Sequence, residues 1–314
     1  MKPKIFPIVG AHVSIAGGLA NAIARAEALG CDCLQIFARN PRGWAARELT
    51  PAEISEFREA RERSGLWPLV IHSVYLINLA ARDPALLAKS RSTFREELKR
   101  GLALGADYLV VHPGSSGQAG AERGIATAVE SIREATRGLE LKGTVSSSSH
   151  AAPAKRRGEN GALTILIENT AGQGSSIGCD FGQIGDLLAA LSDLPVEVCL
   201  DTAHTFAAGY DISTEAGLNK TIREIDGSFG ADRIKLIHCN DSRAPLGSRV
   251  DRHEHIGLGH IGAEAFRRLT QAPRFRRIPF VLETPVDKER DYEWNVKTLR
   301  ELAKVDKTRI VKSA

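Results

Sequence analysis

The sequence predicts an α/β fold in which eight parallel strands close into a barrel. Eight short apolar runs rich in β-branched residues recur along the chain, and each is followed by a stretch that can form a helix. The runs lack polar alternation, so both faces of the sheet must be buried. A chain of 314 residues with 43% hydrophobic residues can build such a barrel as one domain. We therefore expect a TIM barrel over residues 1–314.

The predicted strands follow one another at the spacing of repeated βα units. In order they are FPIVGAHVS (6–14), CLQIFA (33–38), LVIHSV (69–74), YLVVHPG (108–114), LTILIEN (163–169), VEVCLDT (196–202), IKLIHCND (234–241) and PFVLETP (279–285). The segments ALGCDCLQIFARN and ALGADYLVVHPGS resemble each other, since in both a helix ends at a glycine and a buried strand begins at once. This similarity indicates βα repetition.

Two helices carry explicit start signals. Thr50 is expected to cap a helix that begins at Pro51, with Glu53 closing a capping box. Asp83 followed by Pro84 repeats the order of cap and proline. Both helices are therefore predicted to begin at their prolines.

The composition narrows the possible partners and compartments. A net charge of +4 is too small for general polyanion binding, so any contact with nucleic acid must use a local basic patch. Five cysteines without a CxxC pair argue against a disulfide framework and against a cysteine-ligated zinc site, and indicate buried thiols. Because we find no signal peptide and no apolar run of about eighteen residues, we expect a soluble intracellular protein with no membrane partner.

Two segments are expected to lie outside the packed barrel. Residues 143–161 are rich in serine and glycine and include the basic run KRR, a composition that buries too little apolar area to offset the entropy of ordering. We expect this insertion to be flexible and dispensable for activity, with an auxiliary DNA or localisation contact as the alternative. Residues 305–314 are expected to form a mobile tail.

Residue types that bind metal ions lie at the carboxyl ends of the predicted strands, where TIM barrels carry their chemistry. A single histidine there is more often a hydrogen-bonded core residue. Charged groups at the ends of six consecutive strands, however, are costly unless they are paired or bound to metal. The predicted ligands are His72, His112, Glu168, Asp201, His204, His238, Asp251, His253 and Glu283.

This donor set predicts which metal binds and how many ions. Imidazoles and carboxylates without a thiolate suit zinc, or a nearby divalent transition metal, better than magnesium or calcium. Nine ligands exceed the shell of one ion, since a catalytic zinc usually takes three protein ligands, so two or three ions are expected. Three ions would outweigh the charge of the four carboxylates and attract an anion. A phosphate ester is the natural substrate class, because metals can activate water and hold the leaving oxygen.

Eight motifs occur in a fixed order along almost the whole chain. They are GAHVSIAGGL, HSVYLINLA, VVHPGS, IENTAGQGSSIG, CLDTAHTFAAGYD, IHCND, GSRVDRHEHIGLGHIG and VLETP. Together they resemble the endonuclease IV family. The resemblance implies a DNA repair enzyme that holds three zinc ions, hydrolyses the phosphodiester 5′ to an abasic site in duplex DNA and leaves a 3′-hydroxyl. We further expect a monomer, located in the cytoplasm or at the nucleoid if the source is bacterial.

The resemblance also implies how the ligands share the ions. It groups them into three sets, one for each zinc ion: His72, His112 and Glu168; Glu168, Asp201, His238 and Glu283; and His204, Asp251 and His253. Glu168 would bridge two ions, and Glu168, Asp201 and Glu283 are the carboxylates expected to be catalytic. His12 is expected either beside these ligands or in the core.

DNA recognition is expected from the loops above the barrel mouth. By the resemblance, Arg42 and Tyr75 would enter the duplex where the abasic nucleotide is flipped out. Ordinary packing at the rim is the alternative for Trp44 and Tyr75. The side chains offered to DNA by these loops, several of them to phosphates, are Arg39, Asn40, Arg42, Trp44, Tyr75, Ser115, Gln173, Ser248, Arg249 and Arg252.

Two other function classes share parts of this pattern. Metal-dependent sugar isomerases and epimerases also use a TIM barrel, but they need fewer ligands, so His204, Asp251 and His253 count against them. A non-catalytic DNA-binding module has no use for so many ligands. Counting the bound metal ions would separate the three classes.

Overall fold

The structure is a computed structural model that describes residues 7–141 and 163–304. The predicted insertion at 143–161 and the predicted tail at 305–314 lie outside the described residues. Across the described ranges, no helix is long and apolar enough to cross a membrane.

Eight parallel strands form a closed barrel, which confirms the predicted fold class. Each strand pairs with its neighbours in sequence, and the eighth pairs with the first. The barrel strands are β1 (Val9–His12), β2 (Cys33–Ile36), β3 (Leu69–His72), β4 (Tyr108–Val111), β5 (Thr164–Glu168), β6 (Val196–Asp201), β7 (Ile234–His238) and β8 (Phe280–Leu282). Each lies inside its predicted run, so the residues that follow it in that run are free to build the barrel mouth.

Helices cover the outside of the barrel. In the described ranges they are α1 (Ala20–Ala28), α2 (Pro51–Ser64), α3 (Pro84–Leu104), α4 (Ala121–Thr136), α5 (Phe181–Ala190), α6 (Thr202–Ala208), α7 (Glu215–Ser228), α8 (Ala263–Gln271) and α9 (Tyr292–Ala303). Two helices follow β6, because the short α6 precedes the covering helix α7. After β7, an antiparallel pair of two-residue strands, Asp241–Ser242 and His253–Glu254, precedes α8. These two departures from plain βα repetition both lie at the barrel mouth.

Both predicted helix starts are confirmed. The Thr50 side chain accepts a hydrogen bond from the Glu53 backbone N–H at 3.2 Å, and Glu53 Oε2 accepts one from the Thr50 N–H at 3.0 Å. Asp83 Oδ1 accepts the N–H of Leu86 at 2.7 Å. Each cap satisfies backbone donors that the first helical turn leaves unpaired.

The inside of the barrel is filled by a small apolar layer. Alternate residues of a strand face the same side of the sheet. Each strand, or the residue just before it, therefore contributes one inward side chain to this layer. The members of this layer are Ile8, Cys33, Val70, Val110, Leu166, Cys199, Leu236 and Val281. All eight are buried, and together they form a dry floor for whatever lies one layer nearer the carboxyl ends.

Candidate active site

The level above this apolar floor is polar all the way round. In β2 to β8, the residue two positions after each floor residue again points inward, because side chains alternate between the two faces of a strand. These side chains and one from β1 meet at this level. They are His12, Gln35, His72, His112, Glu168, Asp201, His238 and Glu283. Six of the eight are predicted metal ligands. The floor beneath them excludes water, so charges at this level are solvated only from the mouth.

Glu168 is the centre of the cluster. Its Oε2 atom lies 3.2 Å from His72 Nε2 and 3.1 Å from His112 Nε2. Its Oε1 atom lies 2.8 Å from His238 Nδ1 and 3.4 Å from His204 Nδ1. Complete burial opposes ionisation, but the charges of His238 and His112 outweigh it and hold the pKa of Glu168 well below its ordinary value. The two oxygens therefore face different histidine pairs, as suits a carboxylate shared by two ions.

Asp201 and Glu283 complete a second group around His238. Candidate ligand atoms of Glu168, Asp201, His238 and Glu283 all lie within 4.8 Å of one another. Asp201 is held in place from two sides, since its Oδ1 accepts the N–H of His204 at 2.7 Å and its Oδ2 accepts Asn240 Nδ2–H at 2.7 Å. The second of the implied ligand sets is therefore assembled in one place.

A third group lies nearer the opening. Asp251 Oδ2 is 3.3 Å from His204 Nε2, and Asp251 Oδ1 is 3.4 Å from His253 Nε2. The side chain of Asp251 is 46% exposed, unlike the buried His204. Asp201 Oδ2 also lies 3.7 Å from His253 Nε2, so Asp201 faces both the second and the third group.

Four of the five histidines are oriented as metal-bound histidines usually are. In each, one ring nitrogen donates a hydrogen bond to a backbone or amide oxygen and the other faces carboxylates. The acceptors are Ser73 O for His72 (2.7 Å), Asn169 O for His204 (2.9 Å), Glu283 O for His253 (3.1 Å) and Gln35 Oε1 for His238 (2.8 Å). The buried Nε2 of His253 has no hydrogen-bond partner among the described residues. A nitrogen donor set aimed into a carboxylate-lined cavity fits zinc.

Above the cluster lies a cavity of about 350 Å³ with an aromatic wall. Phe37, Tyr75 and Tyr292 form that wall, and Phe37 and Tyr75 pack edge to face with ring centroids 5.1 Å apart. His12 also lines the cavity, with Nδ1 3.2 Å from Glu283 Oε1. The cavity thus has a charged base and an apolar side.

Comparisons with known proteins show which family the chain belongs to. The chain matches the family described as "Xylose isomerase-like TIM barrel" over residues 23–302. It is 46% identical over 298 residues to "Probable endonuclease 4" of Solibacter usitatus, an alignment that covers 94% of this chain and 96% of the relative. The crystal structure of endonuclease IV from Thermus thermophilus is 39% identical, with a TM-score of 0.79, and covers 94% of this chain and 98% of that one. The chain belongs to the endonuclease IV family.

Membership of the endonuclease IV family confirms the resemblance seen in the motifs. A D-tagatose 3-epimerase-like protein also superposes, with a TM-score of 0.61 at 15% identity, over 96% of each chain. At that identity the likeness shows a shared barrel and nothing about the reaction. The isomerase or epimerase interpretation is therefore the weaker one.

The rim of this endonuclease IV family member carries most of the side chains expected to contact DNA. Tyr75 is 70% exposed, whereas Trp44 and Ser115 are half-buried, Trp44 beneath the Lys89 ammonium at 4.7 Å from the ring centroid. Arg249 is unusual, because its φ of 55° lies in the left-handed region that a non-glycine residue rarely adopts. The other exposed members are Asn40, Arg42, Gln173 and Arg252.

Arg39 does not join them, and its predicted role in DNA contact is wrong. Its side chain is buried, and Nη2 donates to the carbonyl oxygens of Gly43 (3.2 Å) and Trp44. Its Nε atom lies 3.7 Å from Glu97 Oε1 on α3. Arg39 therefore anchors the loop after β2 from within, while Arg42 remains exposed.

Glu97 gives this anchor a pH dependence. Burial raises its pKa to about 7, against the opposing charges of Arg39, Arg100 and His72. A raised pKa means that the folded state holds a proton which the unfolded state has lost, so stability falls as pH rises from about 4.5 to 7. We expect the free energy of unfolding of the parent to drop by about 2 kcal/mol over this window relative to that of Glu97→Gln. Urea denaturation of both proteins from pH 4.5 to 7 measures the difference; parallel pH profiles would contradict it.

Proposed function

We propose that this member of the endonuclease IV family is a DNA repair enzyme that hydrolyses the phosphodiester 5′ to an abasic site in duplex DNA and leaves a 3′-hydroxyl. The proposal is carried by the convergence of five imidazoles and four carboxylates on one cavity. A sugar isomerase needs fewer ligands, and the third group, His204, Asp251 and His253, has no role in one.

The nine side chains would hold three zinc ions in the three sets implied by the motifs. The two oxygens of Glu168 support its place between the first two sets, because Oε2 faces His72 and His112 while Oε1 faces His238. Asp201 Oδ2 lies beside His253, so Asp201 would serve the third set as well as the second. When bound, zinc supplies Lewis acidity, which acidifies water and neutralises charge that develops on phosphate oxygens.

The chain's own residues supply the negative charge of the cavity, fix the orientation of the histidine rings and exclude water from below. Glu168, Asp201 and Glu283 carry the negative charge that keeps cations in the cavity, and the hydrogen bonds to Ser73 O and Asn169 O fix which ring nitrogens face it. The apolar floor keeps water out from below, so interactions with a bound phosphate are stronger than in bulk solvent. The exposed rim arginines supply the local basic patch that a nearly neutral protein needs for DNA.

The direct test uses a duplex oligonucleotide with one tetrahydrofuran abasic-site analogue, labelled at the 5′ end of the damaged strand. We expect a single cut on the 5′ side, with a product that a DNA polymerase can extend without further processing. The same duplex without the analogue is the control. A cut on the 3′ side, or no cut together with epimerisation of a ketohexose, would refute the proposal.

Truncation of the rim side chains should weaken recognition without affecting metal content. Tyr75 stands beside Phe37 above the cavity, and loss of a stacking side chain typically costs about 1–3 kcal/mol. We expect Tyr75→Ala and Arg42→Ala each to weaken binding of abasic duplex by about tenfold. Intact duplex should be bound by Tyr75→Ala as by the parent, and slightly less well by Arg42→Ala at low salt. Fluorescence anisotropy measures both; unchanged abasic binding would make these residues rim packing.

A further inference from the structure

Gln35 is an amide in a ring of histidines and carboxylates. It lies at the ligand level of β2, opposite His12 of β1 in the strand register, and its side chain has no exposed surface. Two residues earlier, Cys33 belongs to the apolar floor. An amide buried at this level costs free energy unless both of its ends are hydrogen-bonded.

Both ends of the amide are engaged with predicted ligands. Gln35 Oε1 lies 2.8 Å from His238 Nε2. Gln35 Nε2 lies 2.5 Å from Glu283 Oε1 and 3.0 Å from His12 Nδ1. The side chain therefore bridges β7 and β8 across the inside of the barrel.

The carboxylate decides which way round the amide sits. With the amide reversed, its oxygen would face Glu283 Oε1, and two acceptors would oppose each other at 2.5 Å. Gln35 Oε1 must then face His238, so the hydrogen on Nε2 of that ring is held there. The remaining nitrogen, His238 Nδ1, points at Glu168 Oε1 (2.8 Å) and Glu283 Oε2 (3.4 Å), inside the four-residue ligand group.

We propose that Gln35 is a positioning residue of the metal centre, which selects Nδ1 of His238 as the nitrogen presented to metal and orients the Glu283 carboxylate beside it. The inference rests on the proposed metal-binding function. Among the three ligand groups, only that of Glu168, Asp201, His238 and Glu283 is contacted by the Gln35 amide at two of its members. A role in packing alone predicts no change in metal affinity, since leucine or methionine would fill a similar volume.

The experiment compares Gln35→Leu with Gln35→Glu, which retains an acceptor for His238 Nε2–H but replaces the N–H donor facing Glu283 with a second acceptor, so the two contacts of the amide are separated. Gln271→Leu, on α8 outside the barrel, is the matched control. Zinc alone is the probe, titrated against a chromophoric chelator. We expect Gln35→Leu to bind one of its zinc ions about 10- to 100-fold more weakly than the parent and the others unchanged, with Gln271→Leu like the parent.

A second measurement reports the ring itself. In zinc-loaded protein, ¹⁵N chemical shifts of His238 should show hydrogen on Nε2 in the parent and in Gln35→Glu, and a loss of that signature in Gln35→Leu. If Gln35→Leu does not fold, Gln35→Met is judged by the same two criteria.

Unchanged zinc affinities and an unchanged His238 signature in a folded apolar variant would overturn the inference, as would a parent that binds no zinc. A parent that binds zinc but does not cut abasic DNA would instead refute the proposed function alone, because the effect of Gln35 on zinc affinity is measured without DNA.

Discussion

Replacement of Glu168 by glutamine is expected to reduce incision of abasic DNA by at least about a hundredfold. Glutamine keeps the shape of the side chain but removes the charge, and an amide is a poor bridge between two cations. The loss should be large because the carboxylate contacts four histidine rings at once, with neither oxygen exposed to solvent. Single-turnover cleavage of a duplex with one abasic analogue measures the effect.

The control for this variant is Glu197→Gln. Glu197 lies near the start of β6, the neighbouring strand, where it pairs with Arg233 at 2.6 Å, four residues before Asp201 and away from the ligand level. Its loss should cost at most about 1 kcal/mol of stability and leave cleavage unchanged. Binding of abasic duplex by Glu168→Gln should stay close to that of the parent, since the DNA-facing rim is untouched. Near-normal turnover in Glu168→Gln would mean that Glu168 does not bridge ions.

Removal of metal is expected to abolish activity. The cavity collects five histidines and four carboxylates over a dry floor, and such a set is held together by cations. Elemental analysis should find about three zinc ions per chain, as the ligand count predicts. Prolonged dialysis against a chelator should eliminate cleavage, and added zinc should restore it.

The thermal stability of the protein should also fall when the metal is removed. Because zinc binds the folded state, its removal should lower the melting temperature by roughly 5 °C or more. One metal ion per chain, or full activity after the metal has been stripped, would contradict the three-ion site.

The barrel and most of the polar level were predictable because the apolar runs that identify the strands are directly followed by the residues that line the mouth. Apolar runs identify strands, and TIM barrels carry chemistry at strand ends, so the residues that end β3 to β8 could be chosen by type alone. Gln35 escaped because its run ends without a metal-binding residue type, whereas His12 was expected either beside the ligands or in the core. The signal was nevertheless present: Gln35 lies two residues beyond the buried Cys33, as His72 lies two beyond Val70.

What the sequence could not supply is the direction of side chains in the loops. Arg39 and Arg42 are three residues apart in one loop, yet one is buried against Glu97 and the other is exposed. Whether each arginine is buried or exposed depends on the path of the loop after β2, which no local sequence pattern encodes. Asp251 was grouped with His204 by the family resemblance and by no local pattern, because its approach depends on the long connection between the two short strands after β7.

The alternation of floor and ligand level makes this enzyme unequally tolerant of insertions and deletions. A deletion of one residue within β3 would bring Ile71 or Ser73 to the inward position and turn His72 toward the helices. The same deletion in a loop leaves every strand in phase. Insertions and deletions should therefore be tolerated between the strands and selected against within them. The two-residue spacing from floor residue to ligand is then the feature by which distant relatives that retain this centre can be aligned.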